Sequence, residues 1–206
     1  MKAALLEVAE LTFLRGDEPI LEGVDLTAHA GEVVMIRGGN GSGKTTLLKA
    51  MAGLIRAEDD TVFRFEQKQV HPAQPEYHRE LMYVGHQLGI KLDLTSLENQ
   101  RFFDSFLGDG TGDPATTLDR VGLAGYRHTP AIRLSAGQKK RLALSRLLLN
   151  RRPVWLLDEP YSNLDQPGIE LVDGMLQEHV ERDGTAIITS HGTFTPALDG
   201  IREVCL

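Results

Sequence analysis

The stretch Gly38-Gly39-Asn40-Gly41-Ser42-Gly43-Lys44-Thr45-Thr46 decides the fold. From Gly38 to Thr45 it fits the spacing G-x-x-x-x-G-K-[ST]. Upstream, Val33-Val34-Met35-Ile36 is short and wholly apolar, as a buried central strand should be. Downstream, Thr45 to Leu54 reads as a helix with Leu47, Leu48, Met51 and Leu54 as its apolar residues. Strand, glycine-rich loop and helix in this order are the context of a phosphate-binding loop. Glycines let backbone N–H groups curl around phosphate oxygens, and the helix N-terminus adds partial positive charge. Lys44 is expected to reach the β- and γ-phosphates, and Thr45 to hold Mg²⁺.

Further along, Val154-Trp155-Leu156-Leu157 is an apolar strand running into Asp158 and Glu159. A strand end beside a phosphate-binding loop is where a carboxylate supporting Mg²⁺ belongs, and Asp158 takes that role. Glu159 is placed to orient or deprotonate an attacking water. Between these two stretches lies Leu134-Ser135-Ala136-Gly137-Gln138, followed by Lys139-Lys140-Arg141-Leu142-Ala143-Leu144. Ser135 caps a helix whose first N–H groups are free to meet an anion.

With one substitution, this last motif resembles the signature of the ATP-binding-cassette ATPases, and the resemblance extends over the whole chain. Gln87, after Met82-Tyr83-Val84, matches that family's Q-loop glutamine. Ser162-Asn163-Leu164-Asp165 matches its D-loop, and His191 in Thr189-Ser190-His191 matches its switch histidine. The resemblance implies an α/β P-loop NTPase fold, with a RecA-like core, an antiparallel β subdomain and an inserted helical subdomain. It implies a head-to-tail dimer in which ATP on one P-loop (Gly38, Asn40, Gly41, Ser42, Gly43, Lys44, Thr45, Thr46) is covered by the partner copy's signature residues, those at Ser135, Gly137 and Gln138. Asp165 joins that nucleotide site, Gln87 and His191 act in hydrolysis with Lys44 and Glu159, and Thr45, Gln87 and Asp158 serve the metal.

Two positions depart from the family pattern. The first signature glycine is Ala136, whose tolerance depends on the local backbone angles. The upstream position where these ATPases stack an aromatic side chain on adenine is Arg15. A guanidinium plane can stack on a base, so Arg15 is expected to contact adenine. Phe13, two residues earlier, is expected to face the same side of a strand.

The remaining pattern is that of one domain over residues 1–206. Residues 4–14 and 24–36 read as strands, as do 61–65, 81–84, 153–157 and 185–189. Thr95-Ser96-Leu97-Glu98 is a capping box opening a helix, and 115–122, 136–150 and 167–181 also read as helical. The predicted core covers about 1–85 and 146–206, with a helical insertion at about 86–145.

Formal net charge is −7, which argues against a nucleic-acid partner, since such proteins usually carry a basic stripe. The one cysteine, Cys205, excludes an internal disulfide and a cysteine metal cluster. Glu7 and Glu10 interrupt any secretory leader, and no apolar run approaches the roughly 20 residues that span a bilayer. The expected location is therefore cytoplasmic, peripheral to a membrane partner.

Tyr83-Val84-Gly85-His86-Gln87-Leu88-Gly89-Ile90-Lys91 and its continuation to Asn99 are more particular than a generic Q-loop. With Arg15, Ala136 and the absence of a C-terminal regulatory domain, they resemble the heme-exporter ATPases of the cytochrome c maturation system. That resemblance implies integral membrane subunits at the inner face of a bacterial membrane and hydrolysis coupled to heme delivery or heme-chaperone release. No direct heme site is expected: the histidines, including His71, His78, His86 and His128, are scattered, and His86 reads as shaping a docking groove. The rivals are another small exporter or lipoprotein-release ATPase, a soluble cassette ATPase acting on DNA or ribosomes, and a scaffold without hydrolysis. The acidic balance weighs against the second, and intact Lys44, Asp158, Glu159 and His191 against the third.

Overall fold

The computed structural model describes residues 4–107, 112–190, 197, 198 and 200–206. In chain order the elements are β1 (Ala4–Arg15), β2 (Glu18–His29), β3 (Glu32–Arg37), α1 (Lys44–Met51), β4 (Val62–Phe65), β5 (Lys68–Val70), α2 (Pro75–His78) and β6 (Leu81–Val84). There follow α3 (Ser96–Leu107), α4 (Pro114–Arg120), α5 (Ala136–Leu144), β7 (Val154–Leu157), α6 (Gln166–Glu181), β8 (Thr185–Thr189) and β9 (Arg202–Cys205). No helix among the described residues is long and apolar enough to cross a membrane.

The chain forms two compact units. The first comprises 1–83, 152–159 and 173–206, and the second 84–151 and 160–172. Residues 146–151 and 160–172, assigned to the core on sequence grounds, thus group with the helical unit.

The first unit holds two sheets. One is antiparallel, in the order β2-β1-β4-β5. The other runs β6-β7-β8-β3-β9, with β7, β8, β3 and β9 parallel. Strands β7 and β8 are buried at every residue, which is why their sequences are apolar runs rather than alternations. Leu6, Val8 and Leu11 of β1, Val34 and Ile36 of β3, and Leu47, Leu48 and Met51 of α1 meet in one core with Leu156 and Ile187.

The apolar stretch 24–36 is not one strand. It breaks at the Ala30-Gly31 turn, and its halves join different sheets: β2 pairs antiparallel with β1, and β3 pairs parallel with β8. Strands β5 and β9, of 3 and 4 residues, carry no apolar alternation of their own. They are held by neighbours already in place, through pairs such as Phe63 with Val70 and Ile36 with Val204.

The second unit is helical. Thr95 and Glu98 form the expected capping box: the Thr95 N–H donates to Glu98 Oε2 at 2.8 Å, and the Glu98 N–H to Thr95 Oγ1 at 3.2 Å. The predicted helix over 136–150 is α-helical only to Leu144 and then tightens into a 3₁₀ turn, Ser145–Leu148. The Ser145 hydroxyl and Arg146 Nε take the carbonyls of Leu142 and Ala143, at 2.8 and 2.9 Å.

Candidate functional site

The loop from Gly38 to Gly43 leaves β3 and enters α1, as its sequence requires. Gly43 is the N-cap with φ 95°, and a Cβ there would lie 2.6 Å from Leu21 Cδ2 and 3.0 Å from the Ile20 carbonyl oxygen. Glycine is needed on both counts. No side chain caps α1, so its first N–H groups remain available to an anion. Ser42 Oγ is buried without a protein partner in the same loop. Lys44 is buried, and its ammonium donates to the carbonyls of Gly38 and Gly39 at 2.8 and 2.7 Å. Two of its three N–H donors are engaged, and the third remains for a phosphate oxygen.

Arg15 and Ile20 join Asn40, Gly41, Ser42, Gly43, Lys44, Thr45 and Thr46 around one cavity of about 350 Å³. Arg15 ends β1 opposite Glu18, at an exposed hairpin tip. Phe13, two residues earlier, packs onto the core and is not among the residues that line this cavity.

The carboxylates follow β7. Asp158 is 1% exposed, with Oδ2 accepting from Thr45 Oγ1 at 2.8 Å and Oδ1 accepting from Thr189 Oγ1 at 2.7 Å. Glu159 has φ 49°, an uncommon left-handed backbone for a side-chain-bearing residue, and its N–H donates to Thr189 Oγ1 at 2.9 Å. Tyr83 stands on β6, and burial, helped by the Asp158 charge, pushes its phenol up to about 12.

This donor set fits Mg²⁺. Thr45 gives its proton to Asp158, so its oxygen presents only lone pairs to a hard cation. Among the described residues no cluster of three or more His, Cys, Asp or Glu forms a cage. Mg²⁺ takes few protein ligands and completes its shell with water and substrate phosphates.

In the helical unit, Ser135 N-caps α5 through a complete capping box with Gln138: Ser135 Oγ accepts the Gln138 N–H at 3.2 Å, and Gln138 Oε1 accepts the Ser135 N–H at 2.9 Å. The Ser135 hydroxyl proton stays available as a donor. Ala136 is the first residue of α5 and is not among the residues with positive φ, so its methyl group costs nothing in backbone strain. Gly137 differs, since a Cβ there would lie 2.8 Å from the Asn163 carbonyl oxygen. The alanine thus occupies the glycine position that tolerates it. Asp165 Oδ1 accepts the Gly168 N–H at 3.1 Å, a capping bond at the start of α6. Gln87 is exposed, and the next carbonyl, of Leu88, is held by Arg146 Nη2 at 2.8 Å. Arg146 is buried, with Phe103 4.3 Å from its guanidinium carbon. His191 lies outside the described residues.

Thus P-loop, Arg15, Asp158 and Glu159 come together in the first unit, and Gln87, Ser135, Gly137, Gln138 and Asp165 belong to the second. Sequence reasoning gave no role of their own to Ile20, Thr189, Arg146 and Asn163. Only strand pairing brings Ile20, on β2, and Thr189, at the end of β8, to the site.

The sequence profile of the family described as "ABC transporter" matches residues 21–162. The chain is 40% identical over 189 residues to the cytochrome c biogenesis ATP-binding export protein CcmA of Vibrio cholerae, covering 91% of each chain. To the protein of the same description from Escherichia coli O157:H7 it is 39% identical over 205 residues, covering 98% of this chain and 96% of that one. Among solved structures it is similar to the ADP conformation of MJ1267, an ATP-binding cassette of an ABC transporter. The TM-score is 0.77 at 22% identity, covering 93% of this chain and 82% of that one. It is also similar to the dimeric, post-hydrolysis cassette MJ0796 bound to ADP and Pi. There the TM-score is 0.77 at 24% identity, covering 91% and 88%.

Proposed function

This chain belongs to the ABC transporter family, and from that premise we propose that it is the ATP-hydrolysing subunit of an exporter complex serving cytochrome c biogenesis. The observation that carries the ATPase reading is the Thr45–Asp158 hydrogen bond, which ties the phosphate-binding loop to the carboxylate-bearing strand end. The cytochrome c reading is supported by relatives of that description aligned over nearly the whole chain.

The residues divide the work as follows. The P-loop amides and Lys44 bind the phosphates, and Arg15 stacks on adenine with Ile20 as the second wall. Thr45 and Asp158 would hold Mg²⁺, and Gln87 is the further metal residue that the family resemblance implies. The ion would supply charge neutralisation to the phosphates. Glu159 orients and deprotonates the attacking water, and His191 stabilises the transferring phosphoryl group. Ser135, Gly137 and Gln138 of one copy cover the nucleotide of a second copy, and Asp165 lies at that junction. The complex includes integral membrane subunits, with this chain peripheral on the cytoplasmic side of the inner membrane. Hydrolysis there drives heme export or release of a heme-loaded chaperone.

The test has two arms. Purified protein should release phosphate from Mg-ATP, with Glu159→Gln lowering turnover at least about 100-fold. In a host lacking its own biogenesis ATPase, the wild-type chain should restore heme attachment to c-type cytochromes and Glu159→Gln should not. Turnover unaffected by Glu159→Gln removes Glu159 from its role. Wild-type ATPase activity without restored cytochromes overturns the cytochrome c reading alone.

A further inference from the structure

Thr189 does more than end a strand. The sheet order β7-β8-β3 places the tip of β8 between the strand that delivers Asp158 and Glu159 and the strand that delivers the P-loop. The parallel register sets Leu157 beside Ile188 and Ile36 beside Thr189, so Thr189 is the β8 residue level with the site. It is fully buried. A hydroxyl has one proton to give and lone pairs to accept with, and Thr189 uses both kinds here. Its proton goes to Asp158 Oδ1 at 2.7 Å, and its oxygen accepts the Glu159 N–H at 2.9 Å.

These bonds act on different parts of the site. The first, with the Thr45 bond on Oδ2, fixes the Asp158 carboxylate from both oxygens. The second holds the backbone of Glu159 at φ 49°, a conformation that persists only where its surroundings impose it. We propose that Thr189 is a positioning residue for hydrolysis, a single hydroxyl that sets both the Asp158 carboxylate and the Glu159 backbone. This rests on the ATPase reading above. Thr189 touches neither substrate nor water in this role, and it acts through the two carboxylate residues. Because the bonds of its hydroxyl go to Asp158 and Glu159, while Lys44 is held by the Gly38 and Gly39 carbonyls, it should govern turnover and leave Mg-free nucleotide affinity in place.

The test compares wild type, Thr189→Val and Thr189→Ser in the full chain. Three readouts are needed: steady-state ATPase, affinity for a fluorescent ATP analogue without Mg²⁺, and the thermal melt of the nucleotide-free protein. Valine keeps the β-branched shape and deletes the hydroxyl, whereas serine keeps the hydroxyl. Thr189→Val should lower kcat at least about tenfold with analogue affinity within about threefold of wild type, and Thr189→Ser should recover kcat to within about threefold. The inference is overturned if Thr189→Val stays within threefold of wild-type kcat. It is equally overturned if Thr189→Ser falls as far as Thr189→Val, or if kcat falls only together with affinity and melting temperature. An inactive wild type would instead sink the ATPase reading.

Discussion

Thr45 Oγ1 donates to Asp158 Oδ2 at 2.8 Å, joining two residues 113 positions apart. With that proton directed at Asp158, the lone pairs of the Thr45 oxygen are what a hard cation would meet. Thr45→Val removes both the donor and the cation ligand, and should lower Mg-ATP turnover about 100-fold while Mg-free nucleotide binding changes less than about threefold. Thr45→Ser should keep most of the activity. Phosphate release and fluorescent-nucleotide titration with and without Mg²⁺ decide between these outcomes.

Arg15 lines the nucleotide cavity with Ile20, and its stacking should be worth about 0.5–2 kcal/mol. Arg15→Ala should therefore weaken ATP binding about 2- to 30-fold, and Arg15→Tyr should restore it. Unchanged affinity in Arg15→Ala, measured by calorimetry, would remove Arg15 from the base site.

The two signature positions should respond oppositely. Gly137→Ala sets a methyl group against the Asn163 carbonyl at 2.8 Å and should cost about 1–3 kcal/mol of stability, with loss of ATPase activity. Ala136→Gly relieves no strain, because α5 begins there in ordinary backbone geometry, and should cost at most about 1 kcal/mol. Urea unfolding of the two variants beside wild type measures the contrast.

Trp155 and His179 stack with ring centroids 3.8 Å apart, and burial pushes His179 down to about 4 despite its bonds to backbone carbonyls. Its unfolded value lies near 6.5, so between about pH 6.5 and 4 the unfolded chain binds the extra proton. This group's contribution is complete above pH 6.5 and is lost as pH falls toward 4, by roughly 2–4 kcal/mol. Urea midpoints at pH 7 and pH 5 should show that acid slope, and His179→Phe, which keeps a ring against Trp155, should flatten it.

Much of the site was legible in one dimension. The P-loop and the capping box of α5 are made by residues adjacent in the chain, and their geometry follows from local backbone chemistry. Ala136 was ambiguous for the opposite reason: whether a Cβ fits depends on φ at that residue, which the letters do not carry. The run 24–36 looked continuous, because nothing in an apolar stretch marks where a chain changes sheets.

From its sequence alone this protein is a nucleotide-binding cassette with a phosphate loop, two strand-end carboxylates and a signature helix, each a contiguous signal. What only the tertiary structure decided is how Asp158 and Glu159 are held. Thr45, the adjacent pair Asp158 and Glu159, and Thr189 come from three separate stretches of chain and meet because β7, β8 and β3 pair in parallel at one register. Side-chain hydroxyls hold that geometry only where the sheet brings them within hydrogen-bond distance, and no local pattern encodes such a meeting.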